Sequence, residues 1–272
     1  MMNRSFVSMY HLSLLSVTLL LPFLSSCPIA CHALANNPKL KPKTYNYFAF
    51  GSNMASSTMI NLRNISPLAS SAAILPGHAL RFNIPGVPGV EPSSASVEPT
   101  NSDAIEKEQE VVVHGVLYKL TEEDFATICQ TEGVPLAYSL HRCRVVPYVG
   151  DGKTAGEDAL RRTMSMSTEG GNTETTPADE NNNTLKTNNE QLTRNDWGVS
   201  AFTLRAARKK WREGEDIPPS QSYLNVLIRG AKEFVLDESY LQKLENTPVG
   251  KTWIGNGLSE EMLRMAEQRK KS

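Results

Sequence analysis

Apolar residues along the chain change period several times, and each change marks an element. Tyr45-Asn46-Tyr47-Phe48-Ala49-Phe50 is a β-prone run halted by Gly51-Ser52-Asn53, which predicts a strand and a tight turn. Met54, Met59, Ile60 and Leu62 then suit a helix capped by Ser52 or Asn53. The backbone amides of its first turn would face outward, where they can bind an anion. Val111 to Leu120 is apolar and β-branched enough for a buried strand. Thr121 follows as a cap, with Glu122, Glu123 and Asp124 in the first helical turn, where the dipole favours negative charge; these acids are read as structural. This helix should stop between Gln130 and Gly133, because Gly133 suits a left-handed cap and Pro135 cannot extend the turn. Further strands are predicted over Leu140–Val149 and Trp197–Leu204. Helices are predicted from Tyr223 to about Gly230, after Asp237 with Tyr240, Leu241 and Leu244 as its buried stripe, and from Ser259 to Lys270.

Between these elements lie two polar stretches. Pro85 to Glu110 is rich in Pro, Ser and acids, so it reads mostly as loop, with one short strand candidate at Ala95-Ser96-Val97. Gly150 to Arg194 is dominated by Asn, Thr, Glu and Gly and predicts disorder over most of its length. Because strands flank it, the second stretch is an insertion at about 150–195 within one domain spanning 44–255, followed by a helix or tail at 256–272.

Composition adds limits. The 40% hydrophobic and 21% charged fractions can support a packed core, and a formal charge of -1 argues against broad binding of nucleic acid or an anionic membrane. Arg205 to Arg212 is a basic run with Trp211 inside it, but Glu213, Glu215 and Asp216 balance it, so a solvated turn is the preferred reading. Residues 1–35 resemble a targeting segment: Arg4 precedes an apolar stretch from Leu12 to Leu24 that is too short to span a bilayer, and Ala33-Leu34-Ala35 offers a cleavage site. A secretory or organelle lumen is expected, with no stable membrane insertion after cleavage. An uncleaved anchor, a plastid-type address and a lipoprotein site at Cys27 are the alternatives. In a lumen, Asn64-Ile65-Ser66 and Asn182-Asn183-Thr184 are glycosylation acceptors. Cleavage leaves Cys129 and Cys143, too few for a disulfide scaffold, and either two buried thiols or one bridge would fit. His78, His114 and His141 are scattered singly, so no metal site is expected.

Chemistry concentrates in three ordered blocks. The first is Tyr47-Phe48-Ala49-Phe50-Gly51-Ser52-Asn53. The second is His114-Gly115-Val116-Leu117-Tyr118, followed by Glu132-Gly133-Val134 and Tyr138. The third is Pro218-Pro219-Ser220-Gln221-Ser222-Tyr223, with Gly230-Ala231-Lys232-Glu233 and Tyr240-Leu241-Gln242-Lys243-Leu244. Together they resemble the γ-glutamylcyclotransferase family from about Thr44 to Val249, apart from the polar stretches. One departure is Phe50, where the family pattern has tyrosine.

The resemblance implies an α+β fold: a single small, mixed-sheet, barrel-like domain with packed helices, in a family that suggests a homodimer. It implies a carbon–nitrogen lyase that closes a γ-glutamyl group into 5-oxoproline and frees an amino acid. Glu132 takes the catalytic position, and Tyr47, Phe48, Ala49, Phe50, Gly51, Ser52 and Tyr223 take substrate-binding positions. The partner implied is a small γ-glutamyl molecule, and no cofactor is needed because the nucleophile belongs to the substrate. A γ-glutamylamine substrate and a non-catalytic binding module are the alternatives. Read without the resemblance, Glu132 is a carboxylate at the negative end of a helix beside Val134 and Leu136, a setting that works against its charged form. An exposed helix end is the plainer reading of Glu132, and a core tyrosine that of Tyr223. Ser52 lacks the Gly-x-Ser-x-Gly context of a serine nucleophile.

Overall fold

Five strands close into a barrel in the order Thr44–Ala49 (β1), Val112–Thr121 (β5), Ala69–Pro76 (β2), Tyr138–Tyr148 (β6) and Val199–Ala206 (β7). The computed structural model describes residues 42–100, 112–169 and 198–252, together with Arg264, Met265 and Gln268. β1 (Thr44–Ala49) runs antiparallel to β5 (Val112–Thr121), with Tyr47 opposite Tyr118 and Phe48 opposite Leu117. Gly115 permits that approach, since a Cβ there would lie 2.2 Å from the Ala49 carbonyl oxygen and 2.8 Å from the Phe48 ring. β2 (Ala69–Pro76) pairs with β5 on one side and β6 (Tyr138–Tyr148) on the other. β6 pairs antiparallel with β7 (Val199–Ala206), and β7 meets β1 in parallel at Tyr47 and Phe202. Closure leaves every barrel strand with two neighbours and no open edge. The mixed barrel with packed helices is the fold class expected from the sequence.

β3 (His78–Val87) and β4 (Glu91–Pro99) form a separate two-stranded sheet. Strand therefore runs through much of the segment whose composition reads as loop. Phe82, Ile84, Ala95 and Val97 are buried, but so are Asn83, Ser93, Ser96 and Glu98. Most of these buried polar atoms have partners, Asn83 Nδ2 being the exception: Ser93 Oγ donates to the Ile217 carbonyl at 2.6 Å, Ser96 Oγ to Asn83 Oδ1 at 2.7 Å, and Arg205 Nε to Glu98 at 2.5 Å. Those bonds let polar side chains occupy interior positions and hide the alternation a buried hairpin normally displays.

Helix α1 (Glu122–Thr131) starts as expected, with Thr121 Oγ1 accepting from the Asp124 amide at 3.1 Å, and ends at Glu132 before Gly133 at φ +69°. The second correction is α2 (Ala155–Glu169), which occupies the start of the stretch read as disordered. Leu160 is buried, and the first-turn amides of Gly156 and Glu157 both donate to Asp237 at 2.9 Å. A cap supplied from about 80 residues away leaves no trace in the local sequence. The rest of that stretch, Asn182, Trp197, the 1–35 segment and most of the C-terminal helix candidate lie outside the described residues.

A single helical turn at Lys209–Arg212 follows β7. It belongs to the basic run, which is tied down locally: Arg212 donates to the Ala206 and Ala207 carbonyls, and Arg208 lies over the Trp211 ring. α3 (Gln221–Glu233) is capped by Ser220, whose hydroxyl accepts from the Tyr223 amide at 3.0 Å. α4 (Glu238–Glu245) buries Tyr240 and Leu244. Cys129 and Cys143 are free thiols, and burial pushes the Cys143 thiol up to about 12. Among the described residues no helix is long and apolar enough to cross a membrane.

Candidate functional site

The turn after β1 is built differently from the helix its sequence predicts. Ser52–Met54 forms a 3-10 turn, Ala55 is extended at φ -74° and ψ 129°, and Ser57–Leu62 is wound as a π-helical turn. The first amide bonded within the 3-10 turn is that of Met54, to the Gly51 carbonyl at 3.0 Å, so the Ser52 and Asn53 amides precede any internal acceptor. α3 rests directly on this turn at Gly230, where a Cβ would meet Met54 Cβ at 2.6 Å and the Ala55 nitrogen at 2.7 Å. That contact carries Tyr223 to the turn: a Cβ on Gly51 would lie 3.2 Å from the Tyr223 hydroxyl.

The β3–β4 hairpin supplies the next part. The Ala95 amide donates to the Tyr223 hydroxyl at 3.2 Å, and the Tyr138 hydroxyl donates to the Ala95 carbonyl at 2.9 Å. Opposite stands Glu132, whose side chain is only 13% exposed. Its Oε1 accepts from Asn53 Nδ2 at 2.8 Å and forms an ion pair with Arg63 Nη2. Arg63 Nε donates to Asn53 Oδ1 at 2.7 Å, and Asn53 Nδ2 also donates to the Tyr47 hydroxyl at 3.0 Å. Burial first, and the negative charge of Glu132 with it, hold the Tyr47, Tyr138 and Tyr223 hydroxyls above the usual phenol range. All three therefore remain protonated at neutral pH.

Of the site residues named from sequence, Tyr47, Gly51, Glu132 and Tyr223 belong to this linked arrangement. Ser52 opens the 3-10 turn beside it. Phe48, Ala49 and Phe50 are buried in the barrel, so their side chains serve the wall, and the Phe48 carbonyl is already taken by Thr203 Oγ1 at 2.9 Å. Glu132 differs from its sequence reading: Leu136 is 75% exposed, and the carboxylate has a guanidinium and an amide as partners. The sequence reading missed Arg63, although it is the only Lys, Arg, Asp or Glu between Thr44 and Leu80.

The three described histidines are engaged away from this site. His114 Nδ1 meets the Tyr148 hydroxyl at 2.8 Å, while His78 and His141, far apart in sequence, meet at 3.2 Å between their Nε2 atoms. Among the described residues no group of three or more His, Cys, Asp or Glu is arranged to hold a metal ion. A surface cavity of about 610 Å³ is lined by Asn225, Ile228, Arg229, Lys232 and Glu233 along α3, and none of these residues belongs to the tyrosine and Glu132 network.

Comparison with known proteins shows what this arrangement is similar to. The AIG2-like family model matches residues 112–244, which include Glu132, Tyr138 and Tyr223. The chain is 27% identical over 196 residues to the γ-glutamyl cyclotransferase gliK of Claviceps purpurea (strain 20.1), covering 72% of this chain and 67% of that protein. Residues 112–244 are thus similar to the AIG2-like family. Another relative is the γ-glutamyl cyclotransferase verK of Clonostachys rogersoniana, 33% identical over 116 residues, which are 39% of this chain and 64% of the relative. Two solved structures share this chain's fold. A human protein described as uncharacterized protein loc79017 has a TM-score of 0.51 at 18% identity, covering 82% of this chain and 98% of that one. A structure described as a γ-glutamyl cyclotransferase has a TM-score of 0.50 at 16% identity, covering 83% and 99%. Tyr47, Gly51, Asn53 and Arg63 lie ahead of the AIG2-like match and join its Glu132 only in three dimensions.

Proposed function

We propose that this chain is a γ-glutamyl cyclotransferase that converts a γ-glutamyl amino acid to 5-oxoproline and the free amino acid, with Glu132 as general acid and base. The observation that carries the reading is the anchored, largely buried Glu132 carboxylate linked through Asn53 to the turn that Tyr223 overhangs. The names of the fungal relatives point the same way.

In the proposed reaction Glu132 takes a proton from the substrate's α-ammonium. The neutral amine attacks the γ-carbonyl carbon, and the new C–N bond closes a five-membered ring. The original γ-amide C–N bond then breaks as the proton on Glu132 passes to the departing nitrogen, and the second proton shed by the ring nitrogen goes through the same carboxylate to the released amine, which leaves as an ammonium with Glu132 again ionised. Holding the substrate folded replaces an encounter with a near-attack geometry. The Ser52 and Asn53 amides are donors for the glutamyl α-carboxylate or for the charge on the γ-oxygen. Tyr223 accepts from Ala95 and keeps its own hydrogen for donation.

The test is release of 5-oxoproline from γ-glutamyl-alanine and from a γ-glutamylamine, measured in parallel with Glu132→Gln. A γ-glutamylamine satisfies the same groups, so the two substrates decide the leaving-group class. The N-terminal segment supports a secretory or organelle lumen as the place of action, and Asn64 of the first glycosylation acceptor is exposed. Glycan mass at Asn64 or Asn182 in the native source supports that lumen, whereas bare asparagine at both contradicts the secretory reading.

A further inference from the structure

The way Glu132 is held divides its two oxygens. Both donors, Arg63 Nη2 and Asn53 Nδ2, go to Oε1. Arginine commonly grips a carboxylate with both arms of its fork, which would occupy Oε2 as well. Here the fork is split: Nη2 goes to Glu132, while Nε goes to Asn53 Oδ1 at 2.7 Å. Asn53 is fixed by the same bonds. Its oxygen faces the guanidinium, and its two N–H groups face Glu132 at 2.8 Å and the Tyr47 hydroxyl at 3.0 Å. A reversed amide would set Oδ1 against the carboxylate and the NH2 group against the guanidinium, so only one orientation satisfies all three neighbours.

We propose that Arg63 and Asn53 are positioning residues that anchor Glu132 through Oε1 and reserve Oε2 for the proton passed between the two nitrogens of a γ-glutamyl substrate. This rests on the cyclotransferase reading of the site. Asn53 has a second duty: by occupying Arg63 Nε it keeps the guanidinium from closing over both carboxylate oxygens. Loss of Asn53 therefore impairs the reaction with Glu132 and Arg63 both still present. An ion pair serving stability alone would be indifferent to which oxygen is free.

The experiment compares kcat and KM for 5-oxoproline release by the full chain and by Arg63→Ala, Arg63→Lys and Asn53→Ala, with folding checked by circular dichroism. Arg63→Ala is repeated with added guanidinium chloride at non-denaturing, millimolar concentration. Expected for Arg63→Ala and Asn53→Ala is a fall in kcat of roughly 100-fold, the low end of a general acid–base contribution, with KM nearly unchanged. Guanidinium should recover a good part of the Arg63→Ala loss and none of the Asn53→Ala loss. Arg63→Lys should fall about tenfold or more, since one ammonium does not reproduce a planar fork reaching two acceptors. If Arg63→Ala does not fold, Arg63→Lys and Asn53→Ala decide the matter. Wild-type turnover with kcat preserved in the folded variants overturns the positioning role alone. A folded wild type that releases no 5-oxoproline from either substrate overturns the reading of the site itself.

Discussion

Acid should loosen this protein through His114 before it reaches the carboxylates. His114 lies inside the fold, stacked on Tyr240 with ring centroids 4.9 Å apart, and its Nδ1 meets the Tyr148 hydroxyl at 2.8 Å. α2 presses on the same place, since a Cβ on Gly156 would lie 2.8 Å from His114 Cε1. Burial lowers the imidazole from 6.5 to about 4; the Glu157 charge opposes that effect and Lys243 adds to it. Between those two values the unfolded chain binds the proton and the folded chain does not. Stability is therefore fully present above 6.5 and is lost as pH falls towards 4. The ratio of proton-binding terms puts the loss at about 2 kcal/mol at pH 5 and about 3 kcal/mol below pH 4. His78 and His141 are lowered by burial too and act with the same sign, so the comparison must isolate His114. His114→Phe keeps a ring against Tyr240 and removes the titration. Urea unfolding at pH 7 and pH 5 should find wild type losing about 2 kcal/mol more than the variant on acidification. Equal losses, within about 0.5 kcal/mol, would refute the assignment.

Three substitutions probe the packing of the site. Glu132→Ala strands Arg63, whose side chain is 12% exposed, and should cost about 3–5 kcal/mol in urea unfolding; a loss under about 1 kcal/mol would mean that water screens the pair. Gly230→Ala drives a methyl into the Met54–Ala55 backbone, so a net loss of about 1–2 kcal/mol and reduced turnover are expected despite the better helix former, and unchanged stability would contradict the close seating of α3. Tyr223→Phe leaves the Ala95 amide without its acceptor, at about 1–3 kcal/mol by thermal or urea unfolding, and a neutral effect would remove that hydrogen bond from the account.

Local signals made part of the fold legible. The aromatic run into Gly51, the Thr121 cap, the Gly133 stop and Ser220 after two prolines each act over a few residues, and each has its structural counterpart. What escaped was set by distant partners. Apart from the short strand candidate at Ala95-Ser96-Val97, β4 reads as loop because Ser93, Ser96 and Glu98 are polar, and their burial depends on Ile217, Asn83 and Arg205. α2 reads as disordered because its cap, Asp237, belongs to a later segment. The expected helix after Gly51 is broken at extended Ala55, where Gly230 brings α3 onto the backbone. In the site, the motif residues Tyr47, Gly51, Glu132 and Tyr223 could be named in advance. Arg63 could not, because a lone arginine does not reveal which carboxylate it will meet.

Glu132→Gln separates proton transfer from binding, because glutamine keeps an oxygen for Arg63 and Asn53 while losing the ability to carry the proton. The measurement is 5-oxoproline released by full-length wild type and variant from γ-glutamyl-alanine and a γ-glutamylamine, with both proteins shown to be folded and to bind substrate. Wild type should release 5-oxoproline from at least one substrate, and the variant should do so at a rate lower by roughly 100-fold or more, with binding retained. Equal release by the two proteins, or none from folded wild type, would contradict proton transfer by Glu132.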